Sequence, residues 1–583
     1  MKAFSVTDIP LWGRSLVDAS AGTGKTYAIA TLFIRLLLET EHPPRQLLVV
    51  TFTEAATAEL KERIRERLRQ CVLAASGNHG QGEPDAAITS ILSRAGDRPR
   101  VKRRLEQALY EFDDVEISTI HGFCQRALME RALGSDITYG SELYGDARPL
   151  IDEIVMDFWA RRVAPAPPEL LAYMRSDGSK FSLEMARRLA YSVQRAPLVT
   201  ILPRHLESAP TPDSARLRSE FARVRELWNR SDVIGLIESS SLRKQVYNKR
   251  HTPNWVGEVS EFFAGELGLF KALPRCFERF CRQRLSDAGG QTLAEHELFV
   301  ACDALQDEYR RFESALATEL LRLELQLIEY VRLELPRRGA EQRQLSFDDL
   351  LSKLHAALVG PGGSELGRAL RERYPVALID EFQDTDPVQL GIFERIYAAP
   401  NISLFLIGDP KQAIYSFRGA DVFSYVRAAR STDAQRHYTM TTNYRSDPSL
   451  VRAVNHLFSS CPHPFLLPDI QFAEVDPRPG AEDVLRHADG SNASGLEILF
   501  AQPSEGQALD GEWVARELPA LIAREIAATL NDGTSAGTVR LRPADVAVLT
   551  RTNDQAFQIQ SALRASGVQS VVLGDKSVYD SVE

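Results

Sequence analysis

The chain has 583 residues, with 69 Lys and Arg against 79 Asp and Glu, and a formal net charge of −10. That length exceeds what one hydrophobic core supports and predicts roughly three or four folding units of about 150 residues each. The acidic balance excludes a uniformly basic coat for nucleic acid, so any contact with DNA must come from local patches.

The opening "MKAFSVTDIPLWGRS" carries no long apolar core ahead of a small-residue cleavage site, and no apolar run of about 18 residues occurs, so the chain reads as cytoplasmic. The six cysteines, at 71, 124, 276, 281, 302 and 461, show no C-x-x-C and no histidines at zinc spacing, which predicts reduced thiols. The first apolar run, "SLV", leads into "DASAGTGKT" and then into the helical spacing of "TYAIATLFIRLLLE". The spacing Ala19-x-x-x-x-Gly24-Lys25-Thr26 matches a phosphate loop with Ala in the first Gly position. Ala19, Ser20, Ala21, Gly22, Thr23 and Gly24 would then aim backbone N–H groups and a helix N-terminus at a polyanion. Lys25 would add a charge at the β and γ phosphates and Thr26 a hydroxyl for Mg²⁺. The plain alternative is a flexible turn between strand and helix.

The next runs, "QLLVVTFTEAA" and "VEISTIHGF", end at Phe52 and Thr53 and at Thr119 and His121, as parallel strands deliver side chains to one sheet edge. Two basic stretches, Glu59 to Gln70 and Asp97 to Arg104, read either as DNA-contacting patches or as solvated helix faces. From about residue 140 to about residue 340 the pattern is mainly helical, with a long amphipathic stretch from Glu297 to Leu335 and a polar connection around Ser208 to Asp213. The run "VALIDEFQD" brings Asp380 and Glu381 to a strand end. There Asp380 would hold Mg²⁺ and Glu381 would orient and deprotonate a water for attack on a γ-phosphate. "SLFLIGDPKQAIYSFRGAD" carries Gln412 and then Tyr415, Phe417 and Arg418; exposed rings at such an edge stack bases without sequence preference. "YTMTTNYRS" ends at Tyr444 and Arg445. A second α/β pattern follows, with strands expected at "GLEILFA", "ADVAVLTRT" and "QSVVLG", helices near Gly511 to Ala528 and Asp554 to Gly567, and a loop at Val475 to Asp483.

The blocks "DASAGTGKT", "LLVVTFTEAATAELKERI", "STIHGFCQR", "LSFDDLL", "LIDEFQDTDPVQ", "IGDPKQAIYSFRGAD" and "TTNYRS" resemble, in order, the first motifs of UvrD-like superfamily-one helicases. Their wording is most similar to the RecB-type helicase-nuclease members of that family, over about residues 10 to 583. The resemblance implies an α/β fold. A RecA-like doubly wound parallel-sheet motor domain (1–140 and 340–440) would be interrupted by a helical insertion (141–339). A partial second RecA-like motor domain (441–583) would follow, with the later motifs and the nuclease domain outside these residues. It implies an ATP- and Mg²⁺-dependent 3′-to-5′ translocase and helicase on single-stranded DNA and duplex ends, with RecC-like and RecD-like partners. AddA-like or UvrD-like repair helicases, or a non-motor ATP- and DNA-binding protein, are the alternatives. The resemblance also implies Gln412 as γ-phosphate sensor, Tyr444 on adenine, Arg445 as an arginine finger, and Phe52, Thr53, Thr119, His121, Tyr415, Phe417 and Arg418 towards DNA. For His121 a buried structural role stays open.

Overall fold

The computed structural model describes residues 2–573 apart from positions 41, 78–84, 130–141, 144–146, 177–179, 196–198, 205, 207–213, 269, 343, 346, 400–401, 417–418 and 503–508. The expected connection at Ser208 to Asp213 lies outside the described residues. The chain divides into two compact units, one formed by Met1–Phe123, Gly367–Asp386 and Phe393–Glu583 and the other by Cys124–Leu366 and Pro387–Ile392.

The first unit is built on a seven-stranded parallel sheet. Its strands are β1 (Lys2–Ala3), β2 (Gly13–Asp18), β3 (Leu47–Thr51), β4 (Glu116–Thr119), β5 (Val376–Ile379), β6 (Ser403–Gly408) and β7 (His437–Thr439), in the order β1-β7-β2-β6-β5-β3-β4. The apolar runs read before residue 440 are therefore strands, and β3, β5 and β6 are buried at every position, because a parallel sheet is covered on both faces and needs no polar alternation. Two helices follow directly. α1 (Lys25–Glu39) leaves β2 through the glycine loop, and α2 (Glu54–Ala75) leaves β3 with Thr53 as its cap. Because β6 separates β2 from β5, whatever follows Gly408 emerges between the glycine loop and the Asp380 strand end.

Among its described residues, the regular elements of the second unit are helices apart from one pair of two-residue strands. Its longest element, α3 (Glu297–Glu341), runs past the expected end at Leu335 and through Pro336. The last turn is held from outside the helix by Glu153 and Asp157: the buried Arg338 guanidinium donates to them at 2.9 and 2.5 Å, and to Glu334 of its own helix at 3.0 Å. A proline removes one intrahelical bond, and these ion pairs offset it.

Beyond β7, both expected helices form, α4 (Gly511–Asn531) and α5 (Asn553–Ala565), around a small cluster of Ala523, Ile559 and Leu563. The described residues of "GLEILFA", "ADVAVLTRT" and "QSVVLG" make no strand pairing, and Phe500, Leu549 and Leu573 are 83%, 96% and 93% exposed. An apolar run becomes a strand only against a neighbour that supplies its ladder. Conversely, the expected loop at Val475 to Asp483 contains a short strand, Asp476–Pro477, parallel to Thr442–Asn443. No described helix is long and apolar enough to cross a membrane.

Candidate nucleotide and nucleic-acid site

The glycine loop starts where β2 ends. Ala19 donates its N–H to the Gly408 carbonyl (2.9 Å), and its methyl packs into the core beneath the loop, so Ala in place of the pattern's first Gly is accommodated by burial. Thr23 closes the turn by donating Oγ1 to the Ser20 carbonyl at 2.6 Å. Gly22 and Gly24 have φ of +78° and +83°, a region that glycine enters without strain. At Gly22 there is also no room: a Cβ there would sit 2.8 Å from Asn443 Oδ1. The loop hands over to α1 at Lys25, leaving the first-turn N–H groups of that helix without intrahelical partners.

Asp380 and Glu381 follow β5. Asp380 is buried and anchored by its N–H to the Val50 carbonyl at 2.7 Å. Glu381 has φ +51°, which is strained for a side chain other than glycine. Two bonds hold it there: its N–H donates to Asp380 Oδ1 (2.9 Å), and its Oε2 accepts from Gln383 Nε2 (2.7 Å). Lys25 Nζ lies 3.3 Å from Asp380 Oδ1 and pairs with Glu381 Oε1. Burial works against the Lys25 charge, but the two carboxylates more than offset it and hold its pKa above the ordinary lysine value. Burial, reinforced by the like charge of Glu381, pushes the Asp380 carboxyl up. The same two causes push Asp384 to about 6, and Asp384 Oδ1 is buried without a hydrogen-bond partner.

Between these two strand ends lies the segment after β6. Asp409 accepts from Gln412 Nε2 at 2.6 Å, and its own N–H donates to Gln383 Oε1 at 2.9 Å. Gln412 thus reaches Glu381 through Asp409 and Gln383 rather than directly. From β7 the chain returns over the glycine loop. Tyr444 N–H donates to the Gly22 carbonyl (2.8 Å) and Asn443 Nδ2 to the Ala21 carbonyl (3.0 Å). Asn443 Oδ1 accepts the N–H groups of Arg445 and Ser446, both at 2.9 Å. Tyr444 is 58% exposed and a Cβ on Gly24 would lie 3.6 Å from its ring; Arg445 is exposed beside it.

The expected DNA-facing residues are brought together in part. Phe52 and Tyr415 are half-buried, with ring centroids 5.6 Å apart and planes tilted by 30°. Thr53 is exposed and caps α2 by accepting the Ala56 N–H. Thr119 is buried, and its hydroxyl donates to Glu54 and accepts from Gly122. It is thus engaged inside the fold. His121 is half-buried, and burial lowers its pKa. Phe417 and Arg418 lie outside the described residues. In the basic stretches Arg67 is buried and paired with Asp85, and Arg104 donates to the Leu37 and His42 carbonyls, so those cations serve packing. The sequence reading missed Gln383, Asp409 and Asn443. All three stand inside the quoted blocks, and their only signal was a polar side chain at a strand end that had no assigned task.

A parallel sheet that sends a glycine loop into a helix and an acidic pair from a nearby strand towards the loop's lysine defines the phosphate-loop class of α/β proteins. A family model for the UvrD/REP helicase N-terminal domain matches residues 6–433. The chain belongs to that family. It is 35% identical to the RecBCD enzyme subunit RecB of Escherichia coli (strain K12), covering 99% of this chain and 49% of that protein. With the RecBCD enzyme subunit RecB of Haemophilus influenzae the identity is 30%, over 98% of this chain and 50% of that protein. With that of Mycolicibacterium smegmatis it is 28%, over 97% and 40%. The chain spans about half the length, or less, of these curated relatives.

Proposed function

We propose that this chain is the ATP-hydrolysing motor portion of a RecB-like helicase that moves 3′ to 5′ on single-stranded DNA in double-strand break repair and homologous recombination. The observation that carries the reading is the Lys25, Asp380 and Glu381 cluster beside a glycine loop crossed by Tyr444 and Arg445. Residues 1–140 and 340–440 would form the first motor domain, 141–339 the insertion and 441–583 part of the second, with RecC-like and RecD-like subunits as partners.

ATP would seat its phosphates on the loop from Ala19 to Gly24, with Lys25 turning from the carboxylates to the phosphates. That exchange releases Glu381 from its ion pair, so the carboxylate becomes free to take a proton when nucleotide is present. A divalent cation would suit these residues: the carboxylates are relieved here by the single charge of Lys25 and by hydrogen bonds from Gln383 and the Glu381 N–H, and one buried Asp384 oxygen is unpartnered. Thr26 and Asp380 would hold Mg²⁺, which supplies positive charge to the phosphate oxygens. Gln383 aims Glu381 at the attacking water, Gln412 reads the γ-phosphate, Tyr444 stacks on adenine and Arg445 offsets charge on the transferring group. Phe52 and Tyr415 would stack bases, with Thr53 and His121 beside them.

Glu381→Gln should retain ATP binding and lose single-turnover hydrolysis by at least about tenfold, whereas Lys25→Ala should lose ATP affinity. A Gln variant that hydrolyses ATP like the parent removes Glu381 from the mechanism. Strand separation on a duplex with a 3′ tail, beside DNA-stimulated ATPase, tests the motor reading directly.

A further inference from the structure

A second ionic cluster lies beneath the glycine loop, and the mechanism above does not use it. Lys411 Nζ sits 3.0 and 3.3 Å from the two oxygens of Asp18 and 2.6 Å from Asp409 Oδ1. All three side chains are below 10% exposed. Two carboxylates and one ammonium out of water are costly, and such an arrangement is weak evidence for added stability. Its better-attested use is to fix one arrangement of the chain among several. Burial opposes the Lys411 charge, yet Asp18 and Asp409 hold its pKa above the ordinary lysine value, so the ammonium stays charged, while burial, reinforced by the Asp409 charge, pushes the Asp18 carboxyl up to about 6.

What it joins is specific. Asp18 is the last residue of β2, directly before the glycine loop, and its carbonyl also accepts the Met440 N–H (2.9 Å) on the path to Asn443. Asp409 anchors the Gln412 side chain through its other oxygen and, through Gln383, faces Glu381. Three residues after Gln412 comes Tyr415, against Phe52. A single buried ammonium therefore ties the strand that opens the phosphate loop to the segment that carries both Gln412 and Tyr415, the ring that packs against Phe52.

We infer that Lys411 is a positioning residue that transmits nucleotide state from the phosphate loop to the Tyr415 segment, so that without it ATP binding no longer changes the grip on DNA. This rests on the proposed motor function. A rigid strut makes the two segments move as one body. Without it, the phosphate loop responds to the nucleotide while the segment that carries Gln412 and Tyr415 stays in place, and a ligand shifts an equilibrium only through its differential affinity for the two states.

The test uses the full chain, fluorescent oligodeoxythymidine, ADP and a non-hydrolysable ATP analogue. In Lys411→Met the ratio of DNA Kd values in the two nucleotides should fall to within about twofold of one, and DNA stimulation of kcat should drop at least about tenfold. KM for ATP and the DNA-free rate should move by less than about threefold. Lys411→Arg, which can still bridge two carboxylates, should keep most of the coupling. If the Met variant does not fold because it strands two buried carboxylates, the Asp18→Asn, Lys411→Met double variant removes one charge of each sign and gives the same readout. A merely structural lysine would lower kcat with and without DNA in proportion and leave both ratios intact, which overturns the inference. A parent chain without DNA-stimulated ATPase overturns the motor function, and this inference with it; a competent parent whose Met variant keeps the parent's ratios overturns this inference alone.

Discussion

Glu381 holds a left-handed backbone that costs roughly 1–3 kcal/mol for a residue other than glycine. Gln383 offsets that cost by binding Oε2 and by accepting the Asp409 N–H with its other end. Gln383→Ala should therefore lower kcat about tenfold with little change in KM, since it disturbs the aim of the base and not the phosphate loop. Equal losses in kcat/KM and in nucleotide affinity would contradict that role. Asp384 gives a prediction of the opposite kind, on stability. Burial and the Glu381 charge raise its carboxyl from the ordinary 3.8 to about 6, so between those values the folded chain binds more protons there than the unfolded one. By linkage this group makes stability fall as pH rises from about 4 to about 6. Asp384→Asn removes the titration, so the variant's stability relative to the parent should improve by on the order of 2 kcal/mol across that window, at low ligand and fixed salt. Denaturant midpoints at the two pH values check it, and a variant-minus-parent difference that stays flat with pH sinks it.

At the level of elements, strand ends were legible and element lengths set by distant partners were not. The runs before Asp18, Phe52, Asp380 and Asp409 are apolar because both faces of the sheet are covered, and that signal is local. The Lys25, Asp380 and Glu381 cluster follows from it, since neighbouring parallel strands bring their carboxyl ends to one edge. By contrast, "LPRR" reads as a helix stop, and only Glu153 and Asp157, remote in sequence, show why α3 continues to Glu341. The strand at Asp476–Pro477 was hidden for the same reason: its pairing depends on Thr442–Asn443, not on its own composition. Arg338→Ala should accordingly destabilise the helical unit. Its partners are partly exposed, so the cost is about 1–3 kcal/mol rather than the larger value of a fully buried pair. Far-UV circular dichroism should also show loss of the last turn or two of α3. An unchanged melting curve would mean that Pro336 is tolerated without these ion pairs.

Across the whole molecule, stability is unevenly distributed, because apolar burial is. The sheet strands and α1 sit in one continuous core from Ile9 to Tyr438, the helical unit has its own core from Ala147 to Leu335, and the residues beyond β7 are held by far less. There α4 and α5 share three buried residues, while the apolar segments at 496–500, 546–549 and 571–573 have no strand partners among the described residues. Local opening follows such differences, with backbone groups that lack hydrogen bonds exchanging at near-unfolded rates. Native-state hydrogen exchange on this chain should therefore find Leu47–Thr51, Val376–Ile379 and Ser403–Gly408 slowest, α4 and α5 intermediate, and 496–500 and 546–549 fast. Adding an ATP analogue at about 100 times its Kd stabilises the cooperative unit that binds it by about 2.7 kcal/mol. Protection should rise over the glycine loop, β2, β5 and β6 and, through the Asn443 and Tyr444 contacts, at Thr441 to Arg445, while 496–500 should not change. Slow exchange at 496–500 without ligand would show that these segments are paired in solution. Ligand-induced protection there would show that the phosphate loop reaches past Arg445 into the rest of the chain, the mechanical link that a two-domain motor requires.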